Sequence, residues 1–457
     1  MRDLKNIESV YFIGIGGIGM SALARYFKSQ GKKVSGYDKT ESPLTKELVS
    51  EGIQVHFEDS VDLADKDAGI VVYTPAVPKD HKELNYYQQK GYDVVKRSEI
   101  LGEITASSFN VCVAGTHGKT TISTMIAHIL RHSGYGCNAF LGGISVNYET
   151  NFWGSDKQVA VVEADEYDRS FLKLSPDVAV VTAMDADHLD IYGTEKAMED
   201  AFIEFSGKVK EDGLLLSKFG LKRGSELTAT HQQTYSLQND SADIYGANIK
   251  MRHGSYEFDV MMKDYMIDNV QLNIGGMHNV ENSIAAIGVA GYLGISTEKI
   301  KNAVADFKGV KRRFEYILKS EKIIFVDDYA HHPEELRALI TGAKALFSEK
   351  RCTVIFQPHL FTRTRDLADE FAEVLNLADD VYLLPIYPAR EQPIKGVTSE
   401  MIAGKMIERK GKVISKEELL KTIRNRKADG SLELLITAGA GDIDALVEPL
   451  QQILENK

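Results

Sequence analysis

Residues 109–132, FNVCVAGTHGKTTISTMIAHILRH, constrain this chain more than any other stretch. An apolar, β-rich run ends in a glycine loop, and a helical pattern starts at once. A strand that feeds a helix through such a loop is the building unit of parallel α/β folds, because parallel strands need a long crossover between them. The loop also carries chemistry. Gly115 and Gly118 remove Cβ atoms where phosphate oxygens would approach. Lys119 brings a charge suited to β- and γ-phosphates, and the Thr120 hydroxyl is within reach of Mg²⁺. The common triphosphate loop reads G-x-x-x-x-G-K-[ST]. Here its first glycine is replaced by Val113. A chance Gly-Lys-Thr at a helix start is the competing reading, and the strand–loop–helix context disfavours it.

The same pattern occurs earlier. SVYFIGI is a strand, and GIGGIGM (14–20) follows as G-x-G-x-x-G on Gly14, Gly16 and Gly19, with Gly17 and Ile18 between them. A helical pattern then runs over Met20–Gln30, and KKVSGYD is a second strand ending in Asp38. This arrangement suits a pyrophosphate, because glycines let the backbone approach it and the helix start offers free N–H groups. A tight turn with no ligand is the alternative. GIVVYTPAVP (69–78) reads as a further strand running into a turn at Thr74, Pro75 and Ala76.

Strand and helix patterns alternate along the whole chain, which predicts an α/β fold of three modules in a row. The expected bounds are 1–106, 107–309 and 310–457. The first and third are doubly wound and Rossmann-like, and the middle one carries the phosphate loop. Residues 210–275 alternate like β structure without a clear place in that scheme.

Acids gather at strand ends. VVEADEYDRSF (161–171) holds Glu163, Asp165, Glu166 and Asp168, and MDADHLD (184–190) holds Asp185, Asp187 and His188. Ligands of parallel sheets sit outside the carboxyl ends of the strands, so both clusters and the phosphate loop are expected in one crevice. Solvated acidic loops are the bland alternative. Histidine is an unusual Mg²⁺ ligand, so the residues alone give His188 a supporting or catalytic part. GGMHNVENSIAAI (275–287) sets His278 and Asn282 on one helix face, with Asn279 as a cap or a nucleotide contact. In the third module Arg312 or Arg313 has the fork geometry for a transferring phosphoryl group. Asp327 and Asp328 end a strand, His331 and His332 precede a helix-start proline, and His359 and Arg363, four apart, suit an anion, with a plain surface helix start as the alternative.

A net charge of −12 disfavours nucleic acid as the main partner. No signal peptide and no run of 18 apolar residues is visible, so neither export nor a membrane span is expected. Three scattered cysteines suit a reducing cytoplasm.

Two phosphate loops on separate modules are the informative fact. A dehydrogenase needs only the first and a simple ATPase only the second. An enzyme that joins a nucleotide-diphosphate-carried substrate to something else at the expense of ATP needs both. The ordered set FIGIGGIGMSALA, VSGYD, AGTHGKTT, VVEADEYDRSF, DADHLDIYG, GGMHNVEN, RRFE, DDYAHHPEE and QPHLFTRTRD, spanning nearly the whole length, resembles the Mur ligases of bacterial cell-wall synthesis.

The resemblance implies a nucleotide sugar, UDP-N-acetylmuramate, on Gly14, Gly16, Gly17, Ile18 and Gly19, with Asp38, Thr74, Pro75 and Ala76 beside it. It implies ATP on Gly115, Thr116, His117, Gly118, Lys119, Thr120 and Thr121, with His278, Asn279, Asn282, Arg313 and Asp328. It implies Mg²⁺ at Thr120, Glu163 and His188, and catalytic parts for Lys119, Glu163, His188 and Arg313. L-alanine would meet His331, His359 and Arg363. The implied chemistry is an acyl phosphate formed by ATP on the lactyl carboxylate and then attacked by the amine of L-alanine, in the cytoplasm, by a monomer or weak homodimer. The competing implication is the recycling reaction of the same family, which adds a whole tripeptide. Leu360 departs from the arginine expected after QPH. Lys208 and Lys210 are the nearest lysines to serve as the carbamylated lysine some members carry, with no motif to support either.

Overall fold

The computed structural model describes residues 2, 4–185, 189–389, 391–406 and 411–455. They form two compact units. The first runs from the N-terminus to Ala247 and adds Asp259–Val270 and Glu281–Asp306. The second takes Asn248–Phe258, Gln271–Val280 and the chain from Phe307 on.

The first unit opens with five strands in the spatial order Gln54–His56, Lys33–Tyr37, Ser9–Ile13, Ile70–Tyr73, Val94–Lys96, all parallel. Every residue of Ser9–Ile13 is buried, as expected for a strand covered on both faces. The first helix spans Ile18–Ser29, so the glycine loop runs straight into it. The strand expected over 69–78 is confined to Ile70–Tyr73, and the proline-containing stretch after it turns.

The second sheet is built around Phe109–Ala114. On one side lie Val159–Glu163, Asn138–Ser145 and Thr150–Trp153. On the other lie Val178–Val181, Leu214–Lys218 and His231–Ser236, all parallel to their neighbours. The stretch that the sequence pattern leaves unplaced continues this sheet as Ile244–Arg252, Ser255–Met262 and Met266–Leu272. Ser255–Met262 alternates over most of its length, and its neighbours mix buried with exposed positions, the mark of strands with one wet face, which is why the stretch does not look like the apolar runs upstream.

A polar joint ties the first module to the second sheet. Arg25, 7% exposed, reaches from helix Ile18–Ser29 to Asn151 Oδ1 and is balanced by Glu47 and Glu51. Asn151 is fully buried and donates to Ile18 O at 2.6 Å and Ser21 Oγ at 2.9 Å. Tyr26 packs beside it on Phe140 and Phe152.

The second unit contains a six-stranded sheet in the order Glu315–Lys319, Ile324–Asp328, Leu434–Ala438, Cys352–Phe356, Asp380–Leu383, Gly411–Val413. The first of these is antiparallel to its neighbour, and the others are parallel. Leu434–Ala438 and Cys352–Phe356 are buried throughout, and helix Pro333–Leu346 starts directly after the Asp327–His332 stretch.

Candidate active site

The phosphate loop leaves the end of strand Phe109–Ala114 and enters helix Lys119–His132 through Gly118. No side chain caps that helix start, so its first amides stay available to an anion. Gly115 has φ +130°, and a Cβ there would sit 2.1 Å from Thr182 Oγ1 and 2.8 Å from Ala183 N. Only glycine fits. The loop is braced against strand Val178–Val181 by Thr182, whose hydroxyl donates to His117 O, and by Thr116 N, which donates to Ala183 O.

The charged side chains converge as the acidic clusters suggest. Lys119 Nζ donates to Gly115 O at 2.7 Å and to Glu166 Oε1 at 2.7 Å. Glu166 is 1% exposed, and burial pushes its carboxyl above the ordinary carboxylate range while Lys119 pulls it down. Thr120 Oγ1 donates to Glu163 Oε1 at 3.0 Å. His117 Nε2 lies 3.5 Å from Asp185 Oδ2 on the exposed rim. Both acidic stretches therefore meet the phosphate loop. His188 and Asp187 lie outside the described residues. Asn282 Oδ1 comes within 2.8 Å of where a Cβ on Gly118 would stand, so Asn282 lies against the loop. Lys208 pairs with Glu204 and Lys210 with Asp177, away from these groups.

In the first module Gly16 N donates to Asp38 Oδ2 at 2.8 Å, and Gly14 N and Ile15 N donate to Tyr37 O. Asp38 thus holds the glycine loop itself. Thr74 packs on Gly14, and Pro75 and Ala76 are exposed in the turn beyond it.

Within the second unit, Asn279 is buried and donates to Gly275 O at 2.6 Å, a bond that fixes the helix start, and His278 is exposed. Asp328 accepts from Phe314 N and Ala330 N at 2.7 Å each, and burial pushes its carboxyl up to about 6. The two arginines separate clearly. Arg312 is folded onto Asp327 at 3.2 Å, donates to Gly439 O and lies over the Tyr329 ring. Arg313 is exposed, which leaves its guanidinium open to a ligand. His331, His359 and Tyr387 line up as neighbouring rings, at 6.0 Å and 5.8 Å between centroids, and Arg363 Nη1 is 3.4 Å from His359 Nδ1. Leu360, the departure from pattern, sits at φ +72° at the start of helix Phe361–Asp366.

Residues 9–109 match the family model described as Mur ligase family, catalytic domain; residues 113–290 match the Mur ligase middle domain; residues 312–441 match the Mur ligase, glutamate ligase domain. The chain belongs to the Mur ligase family. This Mur ligase is 48% identical to the UDP-N-acetylmuramate–L-alanine ligase of Parabacteroides distasonis, over 99% of the chain and 98% of that protein. It is 46% identical to the ligase of the same name from Flavobacterium johnsoniae, over 99% of both. The crystal structure of UDP-N-acetylmuramate-alanine ligase from Thermotoga maritima superposes with a TM-score of 0.83 at 28% identity, covering 97% of this chain and 98% of that one. A murein peptide ligase from Psychrobacter arcticus shares the fold, with a TM-score of 0.68 at 22% identity over 98% of this chain and 99% of that one.

Two residues of this Mur ligase escape the sequence reading. Glu166 stands out there only as one of several acids, and its burial against Lys119 gives it a distinct place. Arg97 lies in no glycine loop or acidic motif. Its one signal is position, a basic residue opening a helix directly after the strand Val94–Lys96.

Proposed function

We infer that this Mur ligase joins L-alanine to the lactyl carboxylate of UDP-N-acetylmuramate with ATP, through an acyl phosphate, giving ADP and phosphate. The carrying observation is the 48% identity, end to end, to a ligase of that name. The tripeptide-adding alternative is not favoured, because the relatives at 46–48% identity over nearly the whole chain are L-alanine ligases by name. We divide the chain into working modules at 1–106, 107–309 and 310–457, in keeping with its three sheets and three family matches.

The logic is chemical. A carboxylate acylates an amine only after one of its oxygens has become part of a leaving group. Attack of the lactyl carboxylate on the γ-phosphate makes that leaving group and releases ADP. The amine of L-alanine then adds to the carbonyl, and phosphate departs. Lys119 would leave Glu166 for the β- and γ-phosphates, where its charge opposes what builds up in the transferring group. Gly115–Thr121 supply amides to the same oxygens. Arg313, Asp328, His278, Asn279 and Asn282 are assigned to the ATP side. His331, His359 and Arg363 are assigned to the amino acid, whose carboxylate suits a guanidinium.

The residues fit a magnesium ion. The Thr120 hydroxyl and the Glu163 carboxylate, 3.0 Å apart, are oxygen donors beside the phosphate loop. Among the described residues no three His, Cys, Asp or Glu side chains converge as a cage. Mg²⁺ is commonly held by one or two carboxylates plus phosphate oxygens. Thr120 and Glu163 would hold it, with His188 as the further assignment, and it would neutralise charge on the β- and γ-phosphates. No helix among the described residues is long and apolar enough to cross a membrane. We assign the reaction to the cytoplasm, where ATP is supplied, and the chain to a monomer or weak homodimer.

The test is phosphate release by the purified protein with MgATP and UDP-N-acetylmuramate, comparing L-alanine with the tripeptide. Release dependent on L-alanine, with a product one alanyl residue heavier, is expected. Release with the tripeptide alone overturns the assignment.

A further inference from the structure

Arg97 opens helix Arg97–Ala106, where the helix dipole disfavours a positive charge and Glu99 already supplies the favourable acid and the capping bond to Lys96 N. Helix stability therefore gives no reason for an arginine at this position. Its guanidinium extends to the other loop. A Cβ on Gly19 would lie 2.4 Å from Arg97 Nη1 and 3.4 Å from its Cζ, so the guanidinium rests directly on the bare Cα of the last glycine of GIGGIG. On its far side Arg97 meets Asp165 Oδ2 at 3.3 Å, and a small cavity is lined by Arg97, Asp165 and Glu163 together. Glu163 in turn holds Thr120 of the phosphate loop. Arg97 thus sits between the first glycine loop and the acidic stretch whose Glu163 meets the phosphate loop.

The guanidinium is under-used. It has five N–H donors. Among the described residues its one hydrogen-bond partner is Asp165, at the long end of the range and 39% exposed. Asp165 has other work: its Oδ1 accepts from Tyr167 N at 3.1 Å. A fork of donors placed against a glycine loop, with a single long bond to an exposed carboxylate, is a phosphate-binding group resting on an internal stand-in.

We propose that Arg97 binds the diphosphate of the nucleotide-sugar substrate and that Asp165 is the counter-ion the diphosphate displaces. This rests on the reading of the first module as the UDP site. The swap needs no large movement, because the guanidinium already touches the loop. It also places the substrate's most negative part beside a cation before its carboxylate is brought to ATP, which lowers the repulsion between two anionic substrates.

The test is calorimetric binding of UDP, with uridine as the phosphate-free control, to wild type, Arg97→Ala, Arg97→Lys and Asp165→Asn. Losing charge-assisted bonds weakens UDP binding about 10- to 100-fold in Arg97→Ala. Arg97→Lys falls between Arg97→Ala and wild type. Asp165→Asn binds UDP several-fold more tightly, because the competitor for Arg97 is gone. ATP binding in Arg97→Ala stays at the wild-type value, which separates this loss from misfolding. UDP affinity unchanged in Arg97→Ala, or weakened in Asp165→Asn, overturns the proposal while leaving the UDP site standing. Failure of the wild type to bind UDP overturns both.

Discussion

Replacing Gly115 with alanine tests whether the phosphate loop is built around a missing side chain. The new Cβ would stand 2.1 Å from Thr182 Oγ1, 2.8 Å from Ala183 N and 2.9 Å from Thr182 N. Two of these neighbours are backbone atoms, so a rotamer change cannot relieve the clash. Moving residues 182–183 away endangers Thr182 N to Ala114 O at 3.0 Å, Thr116 N to Ala183 O at 3.2 Å, and the Thr182 hydroxyl to His117 O. At about 1 kcal/mol per bond, plus about 1–3 kcal/mol of backbone strain at φ +130°, the substitution costs about 4–6 kcal/mol. Gly134 provides the control, because it lies in the same module at φ +80° with nothing within 4 Å of its Cβ position. Gly134→Ala costs about 1–2 kcal/mol, the ordinary left-handed penalty. Urea unfolding gives the stabilities, and titration with ATP reads the loop itself. Gly115→Ala should unfold at a lower denaturant concentration than Gly134→Ala and lose ATP binding. Equal stability and equal ATP affinity in the two variants would refute the steric argument.

Two further outcomes follow from buried carboxyl groups. Glu166→Gln removes the anion that holds Lys119 when ATP is absent, so ATP binding should tighten several-fold while the melting temperature falls; weaker ATP binding in calorimetry would count against Glu166 as a competitor for Lys119. Glu83 is fully buried between Tyr11, Ser60 and His56, and burial raises its carboxyl from 4.5 to about 7. The folded chain then binds more protons than the unfolded chain between those values, so the stability that neutral Glu83 contributes is present below about pH 4.5 and lost as pH rises to about 7. Denaturation of wild type and Glu83→Gln at pH 5 and pH 8 should show the variant with the smaller drop, and parallel pH profiles would refute it.

Much of the architecture is legible in the sequence because parallel strands buried on both faces are written as unbroken apolar runs. Phe109–Ala114 and Val178–Val181 are plain for that reason, and the glycines after Phe109–Ala114 mark its loop. The strands over Ile244–Leu272 are harder to place, since a half-wet strand looks the same at any sheet edge. Within the site, local chemistry is readable and pairing is not. GTHGKT announces a phosphate loop, yet nothing local says that Lys119 rests on Glu166 rather than on Glu163, because that choice is made by the packing of two separate strands. Arg312 and Arg313 are adjacent and chemically identical. Only the fold shows that the first is consumed by Asp327 and the second is exposed. Arg97 has only its place at a helix start to mark it in the sequence, and its contact with the bare Cα of Gly19 shows only in the fold.

The joint made by Arg25, Asn151 and the Tyr26 cluster has a consequence for selection among substrates. It anchors the helix that follows the first glycine loop to the sheet that carries the phosphate loop, so buried contacts set the spacing between the two loops. A set spacing works as a gauge. With the nucleotide sugar on the first loop and ATP on the second, as proposed, an acid whose carboxylate stops short of the γ-phosphate, or overshoots it, would be rejected without any contact devoted to refusing it. On the proposed assignment of the two loops, discrimination among sugars would reside partly in a buried amide outside both of them, and loosening that amide would widen the range of acids accepted before it lowered the rate on the right one.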